Sequence, residues 1–299
     1  DLLSIGHSAL DYIIRVPEFP KANFSAPIND MKTFNGGAAA NVALVGANLG
    51  LKTSLVSAVG GDFKKSNYYE IMESLDVDTD SLIIVPGETS PTAFVLTDEN
   101  DDQISYFYWG AAKEFASSKV PKNAISNVQA VHLATGDPHF NWKCSEEAKR
   151  QELLVSFDPG QDLGMYDTDK LRDVITNTTI LFGNHYEIER ILESLEVDLD
   201  GLREIGPKII VKTCGANGSE IYSNNDKIKV DAIVREAVDP TGAGDSYRAG
   251  FLSRFLNGES LEQSAKFASS VSSFIVEEQG CQTNMPTFDD AFDRMSEFY

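Results

Sequence analysis

Basic residues are scarce. The 299-residue chain carries 25 Lys and Arg against 46 Asp and Glu, a formal net charge of −21. A surface of that sign repels nucleic-acid phosphates and anionic membranes, so neither is an expected partner. It does not exclude a small anionic ligand, because backbone N–H groups and Mg²⁺ hold anions locally. Cysteine is rarer still: Cys144, Cys214 and Cys281 stand far apart, with no CxxC and no Cys/His ligand spacing. No structural disulfide and no zinc site are expected. Long apolar runs are missing too; the stretch around Lys208 to Val211 is far too short to span a bilayer. No basic leader runs into an apolar segment, and together these absences predict a cytoplasmic protein.

What is present is an ordinary globular composition, 42% hydrophobic, enough for a sizeable core. Strands are expected at 2–6, 11–16 and 53–59, with helices at 38–49 and 65–75. Residues 92–97 and 104–109 flank the polar turn DENDDQ and read as a hairpin. From Val128 onward short apolar strands alternate with helical patterns, which predicts a mostly parallel sheet with helices on both faces, a three-layer α/β/α core. Most of these strands end in Gly, Asp or Asn, and ligands in such sheets sit beyond the strands' carboxyl ends. The 11–16 strand and the hairpin break the alternation and read as a small β lid. The expected division is a core of residues 1–10, 37–90 and 112–299, with lid segments 11–36 and 91–111.

One stretch, DPTGAGDSYRAGFL at 239–252, concentrates chemistry. Gly242 and Gly244 allow unusual backbone angles and close approach of a ligand. Helical spacing follows at Tyr247, Phe251, Leu252 and Phe255. The N–H groups of Gly242, Ala243, Gly244 and Asp245 would gather at the positive end of that helix, an anion hole for a phosphoryl group. Asp245 would stand beside it as a carboxylate. On this stretch alone, a first-turn acid favoured by the helix dipole reads equally well. No GxxxxGK[ST] occurs, and no GxGxxG follows the first strand, which argues against a dinucleotide-binding oxidoreductase.

DPTGAGDSYRAGF resembles the C-terminal signature of the ribokinase-like (PfkB) family of carbohydrate and nucleoside kinases. That signature usually reads D-T-x-G-A-G-D, then an aromatic and G-F; here Pro240 stands where Thr is commonest. GGAAAN at 36–41 resembles the family's N-terminal Gly-Gly signature, and the resemblance covers essentially the whole chain in order. HSALDYI, GGAAANVA, FYWGAAK, ATGDP, SFDPGQDL and GCQTNMPT are similar to archaeal nucleoside kinases in particular.

The resemblance implies a ribokinase-like fold and transfer of the γ-phosphoryl of ATP·Mg²⁺ to the 5′-hydroxyl of inosine, guanosine, cytidine or adenosine. Asp245 would be the base. It implies that Asp11 accepts hydrogen bonds from sugar hydroxyls and that Gly37 and Asn41 contact the sugar. Gln161 would pair with the base edge. Asn184 and Glu187, in NHYE, would bind Mg²⁺ and phosphate through water. Thr213, Gly215 and Gly218, in KTCGANGS, together with Thr241, would hold the donor nucleotide. Cys281 and Asn284 would flank the adenine pocket or a monovalent-cation loop, with potassium activation left open. A homodimer through the lids is also implied.

Local sequence alone permits plainer roles for each: turn acid, packed helix start, solvent loop, β-turn. Phe94, Phe107 and Trp109 can cover a base, fill the lid or join two lids, and these stay open. Asp158 reads as structural. His7, His132, His139 and His185 share no ligand spacing and read as structural or surface residues. The alternatives are a sugar kinase of ribokinase, fructokinase or 6-phosphofructokinase type, and a non-catalytic nucleoside-binding sensor.

Overall fold

In the computed structural model, which describes residues 1–100, 102–223 and 226–299, the strands sort into three sheets. In chain order the elements are β1 (Leu2–Ile5), β2 (Ala9–Arg15), β3 (Asp30–Gly36), α1 (Ala38–Asn48), β4 (Thr53–Val56), β5 (Ala58–Gly60), α2 (Asn67–Ser74), β6 (Ile83–Val85), β7 (Thr92–Thr97), β8 (Gln103–Tyr108), α3 (Lys122–Ser126) and β9 (Ala130–Leu133). They continue with α4 (Pro138–Arg150), β10 (Leu154–Phe157), α5 (Thr168–Asn177), β11 (Ile180–Asn184), α6 (His185–Leu195), α7 (Leu199–Ile205), β12 (Ile209–Thr213), β13 (Ser219–Ser223), β14 (Asp226–Val230), α8 (Ala243–Phe255), α9 (Leu261–Ile275) and α10 (Phe288–Phe298).

The large sheet runs β14-β13-β12-β11-β10-β9-β1-β4. It is parallel from β12 to β4 and antiparallel only where β13 and β14 are added. Neighbouring residues on each strand go to opposite layers, as the two-residue period of a strand requires. Leu2, Ala130, Ile180, Phe182 and Val211 pack with Val42, Phe251, Leu252, Phe267 and Ala291 on one face. Leu3, Ile5, Val131, Phe157 and Leu181 pack with Phe140, Val174, Ile188 and Leu202 on the other. Burial on both faces explains why these strands read as continuous apolar runs. The result is the expected ribokinase-like three-layer core. No helix among the described residues is long and apolar enough to cross a membrane.

The small sheet, β3-β2-β7-β8, stands apart as the lid. It has four strands where the sequence pattern showed three. β3 escaped notice because its first four residues are exposed and polar or isolated, so no alternation marks it. The expected strand 53–59 is two strands. β4 stays beside β1, the chain breaks at Ser57, and β5 leaves to pair with β6. Asp101, in the turn expected between β7 and β8, lies outside the described residues.

The long helix α8 passes beneath the sheet centre. Phe251 is fully buried, with its ring 5.5 Å from that of Phe182. Phe251→Ala should cost about 3–5 kcal/mol by leaving a cavity between helix and sheet, measured by equilibrium urea unfolding.

Candidate active site

The carboxyl ends of β1, β10, β11 and β12 face the start of α8, and the way that helix starts shapes the site. Gly242 is its N-cap, with a left-handed φ of 77°. A Cβ there would lie 2.5 Å from Cβ of Cys281. Backbone angle and space therefore both demand glycine. The turn leaves the first-turn N–H groups of Gly244 and Asp245 without partners inside the helix. The Ala243 N–H, expected to join them, turns to the Pro240 carbonyl at 3.2 Å.

Asp245 follows on the first turn, largely enclosed. Its Oδ2 accepts from Nδ2 of Asn41 at 2.8 Å. Its Oδ1 lies 3.7 Å from Nη1 of Arg248, whose Nε in turn pairs with Oδ2 of Asp158. Burial pushes Asp245 upward, Arg248 and Asn41 oppose the rise, and Glu187 adds to it. Asp11, on β2, is pushed up to about 7 by burial and by the nearby charges of Asp245 and Asp239. Asp158 is driven upward by burial against the pull of Arg248.

Asn41 is fixed from its other side. Nε2 of Gln282 donates to Oδ1 of Asn41 at 2.8 Å and contacts the Tyr68 hydroxyl at 2.7 Å. The Tyr68 hydroxyl donates to the Gly36 carbonyl at 2.8 Å. These bonds settle which end of the Asn41 amide faces Asp245. Gly37 caps α1 with φ 93°, and a Cβ on it would lie 2.6 Å from the His7 carbonyl. The chain after β1 is thereby drawn against the start of α1, and Asp11 with Asn41 comes to the same side as Asp245.

Strand register decides which lid residues take part. Asp11 pairs with Phe34 and Ala93, and Ala93 pairs with Phe107, so these share one face. Phe94 pairs with Tyr12 and Tyr106 on the opposite face and stacks on Tyr12 at 5.3 Å. It does not join the site, because successive strand residues point to opposite sides. Phe107 and Trp109 do meet, 5.5 Å apart, around the buried ring of His7, 5.0 and 5.1 Å away. Nε2 of His7 lies 3.3 Å from Oδ2 of Asp162. Gln161 is exposed on the turn beside Asp162, which is the residue that reaches His7.

A cavity of about 280 Å³ opens on the other side of the α8 start. Thr213, Gly215 and Gly218 line it, together with Ala243 and Gly244 and with Ser272 of α9. Asn184 pairs in register with Thr213 on the neighbouring strand. Asn184 and Glu187 form a capping box: Oδ1 of Asn184 accepts from the Glu187 N–H at 2.9 Å, and Oε2 of Glu187 accepts from the Asn184 N–H at 2.7 Å. One Glu187 oxygen is left for other work. Thr241 lies exposed before α8, its N–H on Oδ1 of Asp239. Neither Cys281 nor Asn284 lines the cavity. Cys281 packs under Gly242, and Asn284 donates to the Phe274 carbonyl at 2.7 Å. Among the described residues no group of three His, Cys, Asp or Glu could hold a metal alone.

Several members of this site had no sequence signal. Tyr68 and Gln282 reach it only through folding. His7 had one, its place directly after the first strand. Arg248 had another, three residues beyond Asp245 on a helix, where side chains share a face.

The chain is similar to known proteins over nearly its whole length. The pfkB family carbohydrate kinase profile matches residues 1–288. A nucleoside kinase of Methanothermobacter thermautotrophicus is 57% identical over 296 residues, 99% of this chain and 96% of its own length. One of Methanocaldococcus jannaschii is 43% identical over 292 residues, 97% of this chain and 95% of its own length. A crystal structure of Methanocaldococcus jannaschii nucleoside kinase, described as an archaeal member of the ribokinase family, superposes with a TM-score of 0.95 at 42% identity, covering 99% of this chain and 98% of that one.

The raised Asp11 has a thermodynamic consequence. A carboxylate whose folded pKa exceeds its unfolded value stabilises the fold below the unfolded pKa and loses that contribution as pH rises through the folded one. The window here runs from about 4 to about 7. Asp11→Asn should therefore raise the melting temperature of the unliganded protein at pH 8, and raise it clearly less at pH 5, as read by calorimetry at the two pH values.

Proposed function

The chain belongs to the pfkB family of carbohydrate kinases, and from that membership we propose that it is a cytoplasmic nucleoside kinase. It moves the γ-phosphoryl of ATP to the 5′-hydroxyl of a ribonucleoside such as inosine, guanosine, cytidine or adenosine. The observation that carries the reading is the position of Asp245. It stands at the first turn of α8, hydrogen-bonded to Asn41 on the lid side, while Gly244 beside it lines the cavity.

In this reading the cavity by Thr213, Gly215 and Gly218 takes ATP, and its phosphates reach the α8 start. The nucleoside lies under the lid. Asp11 accepts its sugar hydroxyls, Asn41 and the close-lying Gly37 backbone hold the ribose, and Phe107 and Trp109 cover the base. Asp245 takes the 5′-hydroxyl proton as the oxygen forms its bond to the γ-phosphorus. The bond to the bridging β,γ-oxygen breaks, and ADP leaves with that electron pair. The N–H groups of Gly244 and Asp245 stabilise charge on the transferring oxygens, in the manner of an oxyanion hole. The free Glu187 oxygen with Asn184 would hold, through water, the Mg²⁺ carried in with ATP, an ion that keeps much of its hydration shell and would neutralise phosphate charge there. An apolar lid supports a base-bearing substrate and excludes water from the phosphoryl group.

The outer lid face supports a homodimer. Tyr106 is 63% exposed and Met31 54%, with the Tyr12–Phe94 stack beside them. Pairing two lids there would cover this apolar patch.

Asp245→Asn should bind nucleoside and ATP as the parent does yet lose about 10²- to 10⁴-fold in kcat. ADP release is measured against a panel of inosine, guanosine, cytidine, adenosine, uridine, ribose, fructose and fructose 6-phosphate. Turnover on sugars alone would overturn the nucleoside assignment. Binding of nucleoside without any turnover would point to a sensor. Tyr106→Ser with Phe94→Ser should shift sedimentation from dimer to monomer.

A further inference from the structure

Arg248 is a buried arginine that no part of the reading above uses. It lies one helical turn after Asp245, so both side chains leave α8 on the same face. Its guanidinium is held at two points, Nη1 lying 3.7 Å from Oδ1 of Asp245 and Nε against Oδ2 of Asp158. Gly244 supplies a second observation. It has no left-handed backbone angle, unlike Gly242, so conformation does not require glycine there. Instead the space a Cβ on residue 244 would take is occupied by Nη1 of Arg248, which would have to move to admit one. The glycine in the anion-binding turn thus makes room for the arginine.

We propose that Arg248 is the positioning residue for Asp245: its guanidinium, anchored by Asp158, holds the Asp245 carboxylate as an anion in a fixed orientation. This rests on Asp245 being the general base. The surroundings make the arginine necessary. Burial and the charge of Glu187 on α6 push Asp245 toward its neutral form, and the charge of Asp245 in turn raises Asp158 after β10, Asp11 of β2 and Cys281 before α10. Against burial and Glu187 stand the neutral amide of Asn41, the end of α8 and Arg248. A helix terminus is worth less than about one pKa unit at an ordinary site. A guanidinium within about 4–6 Å is worth about one to three. A protonated Asp245 could not accept the hydroxyl proton, so the arginine keeps the base usable at neutral pH.

The test reads Asp245 directly. Protein labelled with ¹³C in aspartate is titrated, and the Asp245 Cγ signal is assigned by its loss in Asp245→Asn. Arg248→Met should raise the Asp245 midpoint by about one to three units, and Arg248→Lys should largely restore it. In parallel the acid limb of kcat should move up in the same order, with KM for nucleoside changing less than kcat. Should Arg248→Met fail to fold, Arg248→Met with Asp158→Asn removes the buried pair together, a change that proteins often tolerate. Its midpoint should then lie above that of Asp158→Asn alone. An Asp245 midpoint unmoved by loss of the arginine, or raised as far by lysine as by methionine, would overturn the proposal. The titration needs no turnover, so a protein that turned over sugars and no nucleoside would sink the nucleoside assignment, while the Asp245 midpoint would still decide this proposal.

Discussion

Asp158, Glu187 and Asp245 crowd around one buried arginine, and the site depends on how that charge is shared. Carboxylates cost heavily to bury, and each raises the pKa of the next. The fold tolerates them because Arg248 sits between Asp158 and Asp245 and because Asn41 donates to Asp245. Asp11 lies further out, with no cation to draw its pKa down, and rises to about 7. In the proposed reading, sugar hydroxyls would supply hydrogen bonds to this acid, and binding would recover the stability that its burial costs.

The packing that holds this cluster is backbone geometry more than side-chain bulk. Gly242 turns left-handed over Cys281, and Gly37 does the same against the chain after β1. Gln279, Gly280, Cys281 and Gln282 run in sequence past the lid, the α8 start and the Asn41 amide. Gln279 accepts from Lys32 at 2.9 Å, the Phe34 ring lies over Gly280, Cys281 underlies Gly242, and Gln282 bonds Asn41. Four consecutive residues thus tie strand β3 to the α8 start and to the Asn41 amide of the candidate site.

Much of the architecture was legible from pattern. Buried parallel strands must be apolar on both faces, so β9 to β12 and their helices stood out as alternating runs. The lid was legible only in part, since β3 is polar and exposed along most of its length and needs its partner strand to exist. The 53–59 run was apolar enough for one strand, and only its neighbours show that the chain bends at Ser57 to serve two sheets. At the site, the glycines and Asp245 stood out through the family signature they share with the segments around them, because on that stretch alone a first-turn acid reads equally well. Phe94 misled, because composition places aromatics on a lid but register alone assigns them a face.

By itself, then, the sequence determined the layered α/β core, most of a small separate sheet and the glycine-rich turn ahead of α8. Each is a matter of local periodicity or of backbone freedom at particular residues, which are properties of short segments. Only the tertiary structure decided that Arg248 and Asp158 brace Asp245, that Tyr68 and Gln282 orient Asn41, and that His7 meets Phe107, Trp109 and Asp162. Those contacts join residues up to 241 positions apart, as between Asn41 and Gln282. Their strength comes from burial, which deepens every charge interaction and penalises every unmet polar group, and burial exists only once the chain has closed around them.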